Sequence, residues 1–357
     1  MSKIVKYLLK TVVFIIFYSI HFFVLSTICS IYDIPTSFFT YGFPIVAIIS
    51  LSFLTHNSYS ISTRFYSYIY YLSTAYLGLV LNLYMFVLVY KSISYFVTLS
   101  RMVSTFISII SPIVMSLYGM INARIITTDN VIIKTKIIQE TIKIAHLSDL
   151  HLGAVYQTQF TTKIVNLIIN QIKPDVVIIT GDIFDNNFSP KGEWLKPFEK
   201  ITVPILYVTG NHEEIIGKNE VLKILNKTNI IHIGTNVKGY TIKGVNFFGI
   251  DYDIDVKKRI NECGMQKNQL NIVLNHVPSL KPKELDKSEI FLFLCGHTHA
   301  GQMIPLHLID YLISKCFRGL YEENGKYVYV SPGLGTSLFP MRVASSSTIG
   351  VITLTKE

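Results

Sequence analysis

Polar residues are nearly absent from the first third of the chain, and the apolar stretches there are long. Between Lys10 and Asp33 no charge interrupts TVVFIIFYSIHFFVLSTICSIY, which meets the roughly 20 apolar residues a helix needs to cross a bilayer. Residues 38–55 repeat the pattern in shorter form, 65–90 in a longer, Tyr-rich form, and 102–123 again without charge, broken by Pro112 and Gly119. The pattern predicts an all-α bundle of four transmembrane helices, at 11–32, 38–55, 65–90 and 102–123, forming an anchor over residues 1–127. A cleaved signal peptide explains the first stretch alone, lacks a small-residue cleavage site and leaves the other three without a role.

From residue 128 onward the pattern changes to short, β-branched runs. TIKIAHLSDLHLG, KPDVVIITGDIFD, VPILYVTGNHEE, LNIVLNHVPS and FLFLCGHTHAGQ share one design, an apolar run followed by a polar cluster. Continuous runs of this length are expected of strands buried on both faces, with the polar cluster delivered at the strand's C-terminal end. Helical patterns fit between them, over 161–171 and 220–226. Residues 128–357 therefore read as an α/β domain whose site lies on the loops beyond the strand ends.

Charge sharpens this division. The chain has 357 residues, 50% hydrophobic and only 15% charged, against a usual charged share of about 25%. Residues 1–127 hold seven cations and one anion, Asp33, and the remainder holds 25 basic and 22 acidic residues, a net +3. With the N-terminus inside, the inner segments carry Lys3, Lys6, Lys10, Arg64, Arg124, Lys134, Lys136 and Lys143, and the outer ones only Lys91 and Arg101. That bias favours a cytoplasmic catalytic domain. Cys29, Cys263, Cys295 and Cys316 show no paired or C-x-x-C spacing, which fits a reducing compartment. No Asp or Glu lies within the four spans, so a transport path has no support, and His21 reads as a residue hydrogen-bonding between helices.

The strand ends collect Asp149 and His151, Asp182 and Asp185, Asn211, His212 and Glu213, His276, and His297 and His299. Carboxylate, imidazole and amide without thiolate suit Mn, Fe or Zn in an open site better than a structural zinc. Five of the ten histidines fall in this set, each within two residues of Gly, Asp or Asn. His146, His232 and His307 read instead as ordinary packed or surface histidines.

In this order, Asp149-Leu150-His151, Gly181-Asp182, Gly210-Asn211-His212-Glu213, His276 and Gly296-His297-Thr298-His299 resemble the calcineurin-like metallophosphoesterases, over residues 140–355. The resemblance implies a four-layer αββα sandwich holding two divalent metal ions, Mn²⁺ first, with Fe, Zn or a mixed pair as alternatives. It implies that Asp149, His151 and His299 bind one ion, Asn211, His276 and His297 the other, and that Asp182 bridges both. His212 is left as the catalytic non-ligand that stabilises the transferring oxygens or protonates the leaving group. Asp185 and Glu213 are expected to orient the imidazoles. Two ions about 3.5–4 Å apart share and deprotonate a water that attacks phosphorus in line. YVSPGLGTSLFPMR is similar to a membrane-associated bacterial branch related to UDP-diacylglucosamine pyrophosphatases, apart from Pro332 and the segment 345–350. This likeness implies a lipid-linked or nucleotide-linked, amphiphilic phosphoester as substrate, the lipid bilayer as partner, and a place in lipid A synthesis.

Residues 303–325, apolar nearly all round, read as a helix packed on the sandwich or as a membrane-facing lid formed by Leu308, Tyr311 and Leu312. Two other function classes stay open. A nuclease or general phosphodiesterase uses the same metal chemistry, but a net +3 without a basic and aromatic stripe argues against nucleic acid. A catalytically silent scaffold or sensor should lack ligands, and none is missing. Oligomeric state is left open.

Overall fold

A computed structural model of the chain describes residues 3–36, 64–235, 239–286 and 288–357. It divides into two compact units, residues 1–122 with 338–343, and residues 123–337 with 344–357.

The first unit is helical. α1 (Lys3–Ile31), α2 (Arg64–Phe96) and α3 (Arg101–Asn122) each contain a stretch long and apolar enough to cross a membrane. Among the described residues there are thus three candidate spans rather than four, because the span expected at 38–55 lies outside them. α2 is longer than the expected 65–90 segment and continues through Lys91 to Phe96, since residues 91–96 contain no Gly or Pro. Its buried side is a narrow stripe of Tyr66, Tyr70, Thr74, Leu77, Gly78 and Asn82, the small and polar contact expected where helices associate in lipid. The Asn82 side chain donates to Ser116 Oγ of α3 at 2.8 Å. His21 rings with Tyr76 and Phe23 with Tyr84, so α1 and α2 run in the same direction. The hydrogen bond of His21 runs to Phe17 O of its own helix, which corrects the expected interhelical bond. Residues 338–343 belong to this unit because Arg342 N–H donates to Gly119 O and the Asn122 side chain donates to Arg342 O, both at 2.9 Å.

The second unit contains two mixed six-stranded sheets. The first has the order β1 (Ile126–Thr135), β12 (Ser347–Lys356), β2 (Ile142–Leu147), β3 (Val176–Thr180), β4 (Ile205–Val208) and β5 (Ile230–His232). The second has β10 (Gly319–Glu323), β11 (Lys326–Val330), β9 (Ile290–Cys295), β8 (Leu270–Leu274), β7 (Val245–Gly249) and β6 (Tyr240–Ile242). Strands β2 to β5 and β7 to β9 pair in parallel. The apolar runs explain this placement, because alternate side chains bury on opposite faces of the strand. Ile272 and Leu274 of β8 join Leu292, Ile178 and Leu206 in a core shared by both sheets, while Val273 packs behind with Phe293, Leu280 and Leu285. With helices such as α4 (Thr158–Leu167) and α6 (Lys218–Leu225) added, the unit is the αββα sandwich. The four cysteines are buried and unpaired.

Candidate metal centre

The five polar clusters all follow strands from the parallel parts of the two sheets, β2, β3 and β4 in one and β8 and β9 in the other. The chain turns there under strain. Asp149, His151, Asp182, His297 and His299 have φ of +54°, +45°, +51°, +72° and +51°, a left-handed backbone that costs on the order of 1–3 kcal/mol for a residue with a Cβ and that gathers at functional sites. All but His297 of these five are buried.

Two groups of ligating atoms result. In one, His151 Nε2 and His299 Nε2 lie 3.0 Å apart and Asp149 Oδ1 lies 3.5 Å from His299 Nε2. In the other, His276 Nε2 lies 3.0 Å from Asn211 Oδ1, 3.1 Å from His297 Nδ1 and 3.3 Å from Asp182 Oδ2. Asp182 Oδ2 is also 3.8 Å from His151 Nε2, between the two groups. Asp149, His151 and His299, and likewise Asp149, Asp182 and His276, bring their ligand atoms within 4.8 Å of one another.

The hydrogen-bond chemistry tests whether this set fits a cation. His276 Nδ1 is 2.8 Å from Thr180 O, so Nδ1 carries a hydrogen and Nε2 of the neutral ring presents a lone pair. That lone pair faces the oxygens of Asn211 and Asp182, which are acceptors too. His297 Nδ1, 3.1 Å away, can give Nε2 one hydrogen, but the oxygens of Asn211 and Asp182 then still face an acceptor, an arrangement that a proton or a metal ion at Nε2 relieves. The protein alone answers with a proton: burial lowers the pKa of His276, but the Asp182 carboxylate raises it to about 10. Burial pushes Asp182 up, yet His276 and His212 outweigh it and hold its carboxyl well below the usual range. His151 is held well below its ordinary value by burial and by His212 and His299, which keeps it in the neutral form a metal binds. Asp149 Oδ1 is buried with no hydrogen-bond partner. The residues fit a pair of cations.

A sequence model of the calcineurin-like phosphoesterases matches residues 142–301. A metallophosphoesterase of Aquifex aeolicus is 31% identical over 229 residues, which cover 60% of this chain and 85% of that protein. The chain belongs to the metallophosphoesterase family. An uncharacterized metallophosphoesterase of Helicobacter pylori J99 is 31% identical over 229 residues, 61% of this chain and 60% of the relative. A Danio rerio transmembrane protein with metallophosphoesterase domain is 30% identical over 277 residues, 70% of this chain and 62% of the relative. The chain thus spans about six-tenths of the length of these last two. These names specify no substrate.

In this metallophosphoesterase the two supporting residues are placed differently. The hydrogen bonds of Glu213 run to backbone rather than to an imidazole. Its carboxylate accepts four backbone N–H groups, from Asp182 (2.9 Å), Ile183 (2.8 Å), Phe184 (3.3 Å) and Gly210 (2.7 Å). Burial and the Asp182 charge push its pKa up to about 7 against the pull of those bonds. Asp185 Oδ1 does lie beside His212 Nδ1, at 3.8 Å. His146, His232 and His307 contact Thr180, Asp251 and the Ala300 carbonyl respectively and stay outside the cluster.

Two residues were missed. Asp251 is buried and accepts from Thr209 N–H, one residue before Gly210, from the Lys218 ammonium and from His232; burial raises its pKa, but His232, Thr209 and Lys218 bring it to about 2. VNFFGI followed by DYD has the same run-then-polar design as the five clusters, so the signal was present. The Gln302 side chain exchanges two hydrogen bonds with Ser337, and its carbonyl accepts from Ala344 N–H. Nothing in local sequence marks partners 35 and 42 residues away.

Gly210 permits a close approach to a ligand, since a Cβ there would stand 2.1 Å from Asp182 Oδ1 and 2.7 Å from Asp182 N. Gly210→Ala is expected to displace the Asp182 carboxylate and weaken metal binding about 10–100-fold, the usual effect of disturbing a ligand's support. Metal content by mass spectrometry after dialysis checks it. Full retention of metal would show that Asp182 tolerates the shift.

Proposed function

We propose that the protein is a membrane-anchored phosphohydrolase that uses two divalent metal ions on a phosphodiester or pyrophosphate whose lipid part stays in the bilayer, with UDP-diacylglucosamine as the specific candidate. The observation that carries the chemistry is the convergence of His276 Nε2, Asn211 Oδ1 and Asp182 Oδ2 on one point. The membrane substrate is supported by three helices able to cross a bilayer in the same chain. In this reading Asp149, His151, Asp182 and His299 hold one ion, and Asp182, Asn211, His276 and His297 the other. When bound, such a pair supplies Lewis acidity and a hydroxide nucleophile at neutral pH. The bias of Lys and Arg supports a sandwich on the cytoplasmic side, and Mn²⁺ is the ion to supply first.

His212 donates a hydrogen bond from its Nε2–H to the leaving oxygen, which takes its proton from water. Asn186 N–H donates to His212 Nδ1 at 3.3 Å, which leaves the ring hydrogen on Nε2, 3.8 Å from Asp182 Oδ2 and directed to the centre. Removing such a donor costs about 10²-fold or more in kcat. His212→Ala is therefore expected to lower kcat about 10²-fold with metal content unchanged, and less for a p-nitrophenolate leaving group, which needs no donor. Equal losses on good and poor leaving groups would remove this role.

The proposal is tested with full-length protein in detergent and Mn²⁺, measuring UMP release from UDP-diacylglucosamine and hydrolysis of bis(p-nitrophenyl) phosphate against a chelator-treated blank. Hydrolysis of the second compound alone keeps the phosphohydrolase and removes that lipid. Hydrolysis of neither removes the reading.

A further inference from the structure

The helix after the cluster loop is built inside out. α8 (Leu306–Ile313) has two polar side chains, His307 and Asp310, three residues apart and so on one face. Both are half-buried, while Leu306, Leu308, Ile309, Tyr311, Leu312 and Ile313 are between 37 and 79% exposed. At 100° per residue those six side chains cover an arc of about 220°. A helix on a sandwich bathed in water turns its apolar stripe inward. This one turns it out, so the expectation of a helix packed by its apolar residues fails.

The helix is fastened to the cluster loop. His307 Nδ1 donates to Ala300 O at 3.0 Å, and its ring packs edge-on against Phe317 at 4.9 Å. Phe317 O in turn accepts from Thr298 Oγ1 at 2.7 Å. Gly301 is so close that a Cβ there would stand 2.2 Å from His307 Cα. Thr298, Ala300 and Gly301 flank His299 directly.

We propose that α8 is a lipid-binding foot that lies in the headgroup region of the bilayer, its Leu, Ile and Tyr side chains in the acyl boundary and His307 and Asp310 turned to the sandwich. The inference rests on the membrane-anchored reading above and adds a second, independent contact with the lipid. A bilayer is the occupant because only residues 123–125 separate α3 from β1, at most about 14 Å of extended chain. Lipid is therefore present beside this unit at high effective concentration, whatever else is in solution. A fluid surface also covers a wide arc of side chains that a flat protein partner meets only in part. Exposed Arg318 follows the helix closely, where anionic headgroups would meet it, whereas Lys315 is paired with Glu284 at 2.9 Å. Because the foot and His299 share one short, cross-linked segment, the substrate class that follows is a phosphoester held at the headgroup level, with its acyl chains left in the membrane.

Full-length protein in nanodiscs of phosphatidylcholine and phosphatidylglycerol tests this without relying on turnover. The one native tryptophan, Trp194, is buried, so its constant emission is subtracted using the parent protein. A tryptophan probe introduced by Leu312→Trp is expected to emit to the blue, to be quenched by brominated acyl chains and to ignore iodide. Leu308→Trp repeats the test if the first variant does not fold. Iodide quenching without lipid quenching would show that α8 stays in water, and protection from both would show a protein cover; either overturns the proposal. The double change Leu308→Ser, Leu312→Ser should also lower the ratio of turnover on a lipid-embedded phosphodiester to turnover on a soluble one several-fold. Quenching by brominated acyl chains without any phosphohydrolysis in the parent would retain the foot and reject the enzyme reading.

Discussion

Asp182→Asn is expected to reduce phosphodiester hydrolysis on the order of 10³-fold or more and to lower bound metal at both positions together. The magnitude follows from placement. Asp182 Oδ2 lies 3.3 Å from His276 Nε2 and 3.8 Å from both His151 Nε2 and His212 Nε2, so one carboxylate serves both ligand groups. The amide keeps an oxygen but loses the negative charge that raises His276 and attracts a cation to either side. Metal stabilisation of the transition state is worth several kcal/mol, and each 1.36 kcal/mol is about tenfold in rate. The fold should survive, because the backbone N–H of Asp182 remains bonded to Glu213 and the N–H of His212 can still be accepted by the amide oxygen. Metal content by mass spectrometry, kcat and thermal unfolding decide it together. Loss of one ion with the other retained would mean that Asp182 belongs to one group alone.

The candidate centre was legible because the chemistry of its parts restricts their placement. A run such as DVVIIT followed by GDIFD has to be a strand buried on both faces, and whatever ends it has to sit in the loop beyond. Asp149, Asp182, His276 and His299 could thus be assigned to one end of the sheets before any coordinates. What the pattern does not encode is direction and distance. Glu213 read as a group orienting imidazoles because it adjoins His212, but the helix that starts at Asn211 points its side chain back under the two loops. Leu308, Tyr311 and Leu312 read first as core and otherwise as lid, because an apolar helix shows the same composition whichever way it faces. Asp251 and Gln302 depend on partners far along the chain, Lys218 and His232 for one, Ser337 and Ala344 for the other.

Glu213→Ala is expected to be the most destabilising single substitution in the sandwich outside its apolar core. Glu213 is fully buried and gathers N–H groups from two loops, Asp182, Ile183 and Phe184 on one and Gly210 on the other. Alanine leaves all four donors without a partner in a site its methyl group does not fill. Each buried, unsatisfied group costs about 1–3 kcal/mol, so the sum reaches on the order of 4–8 kcal/mol even after partial relaxation, a large part of a typical stability of about 5–15 kcal/mol. At this size of domain that corresponds to a fall of about 10–30 °C in Tm, with both ligand loops loosened at once. Glu213→Gln separates the two contributions, because its single amide oxygen still meets some of the N–H groups while its NH₂ opposes the rest. An intermediate Tm with metal binding largely restored would assign Glu213 to holding the loops. A Gln variant that keeps its Tm but loses metal would instead assign it to the charge it sets beside Asp182 and His276.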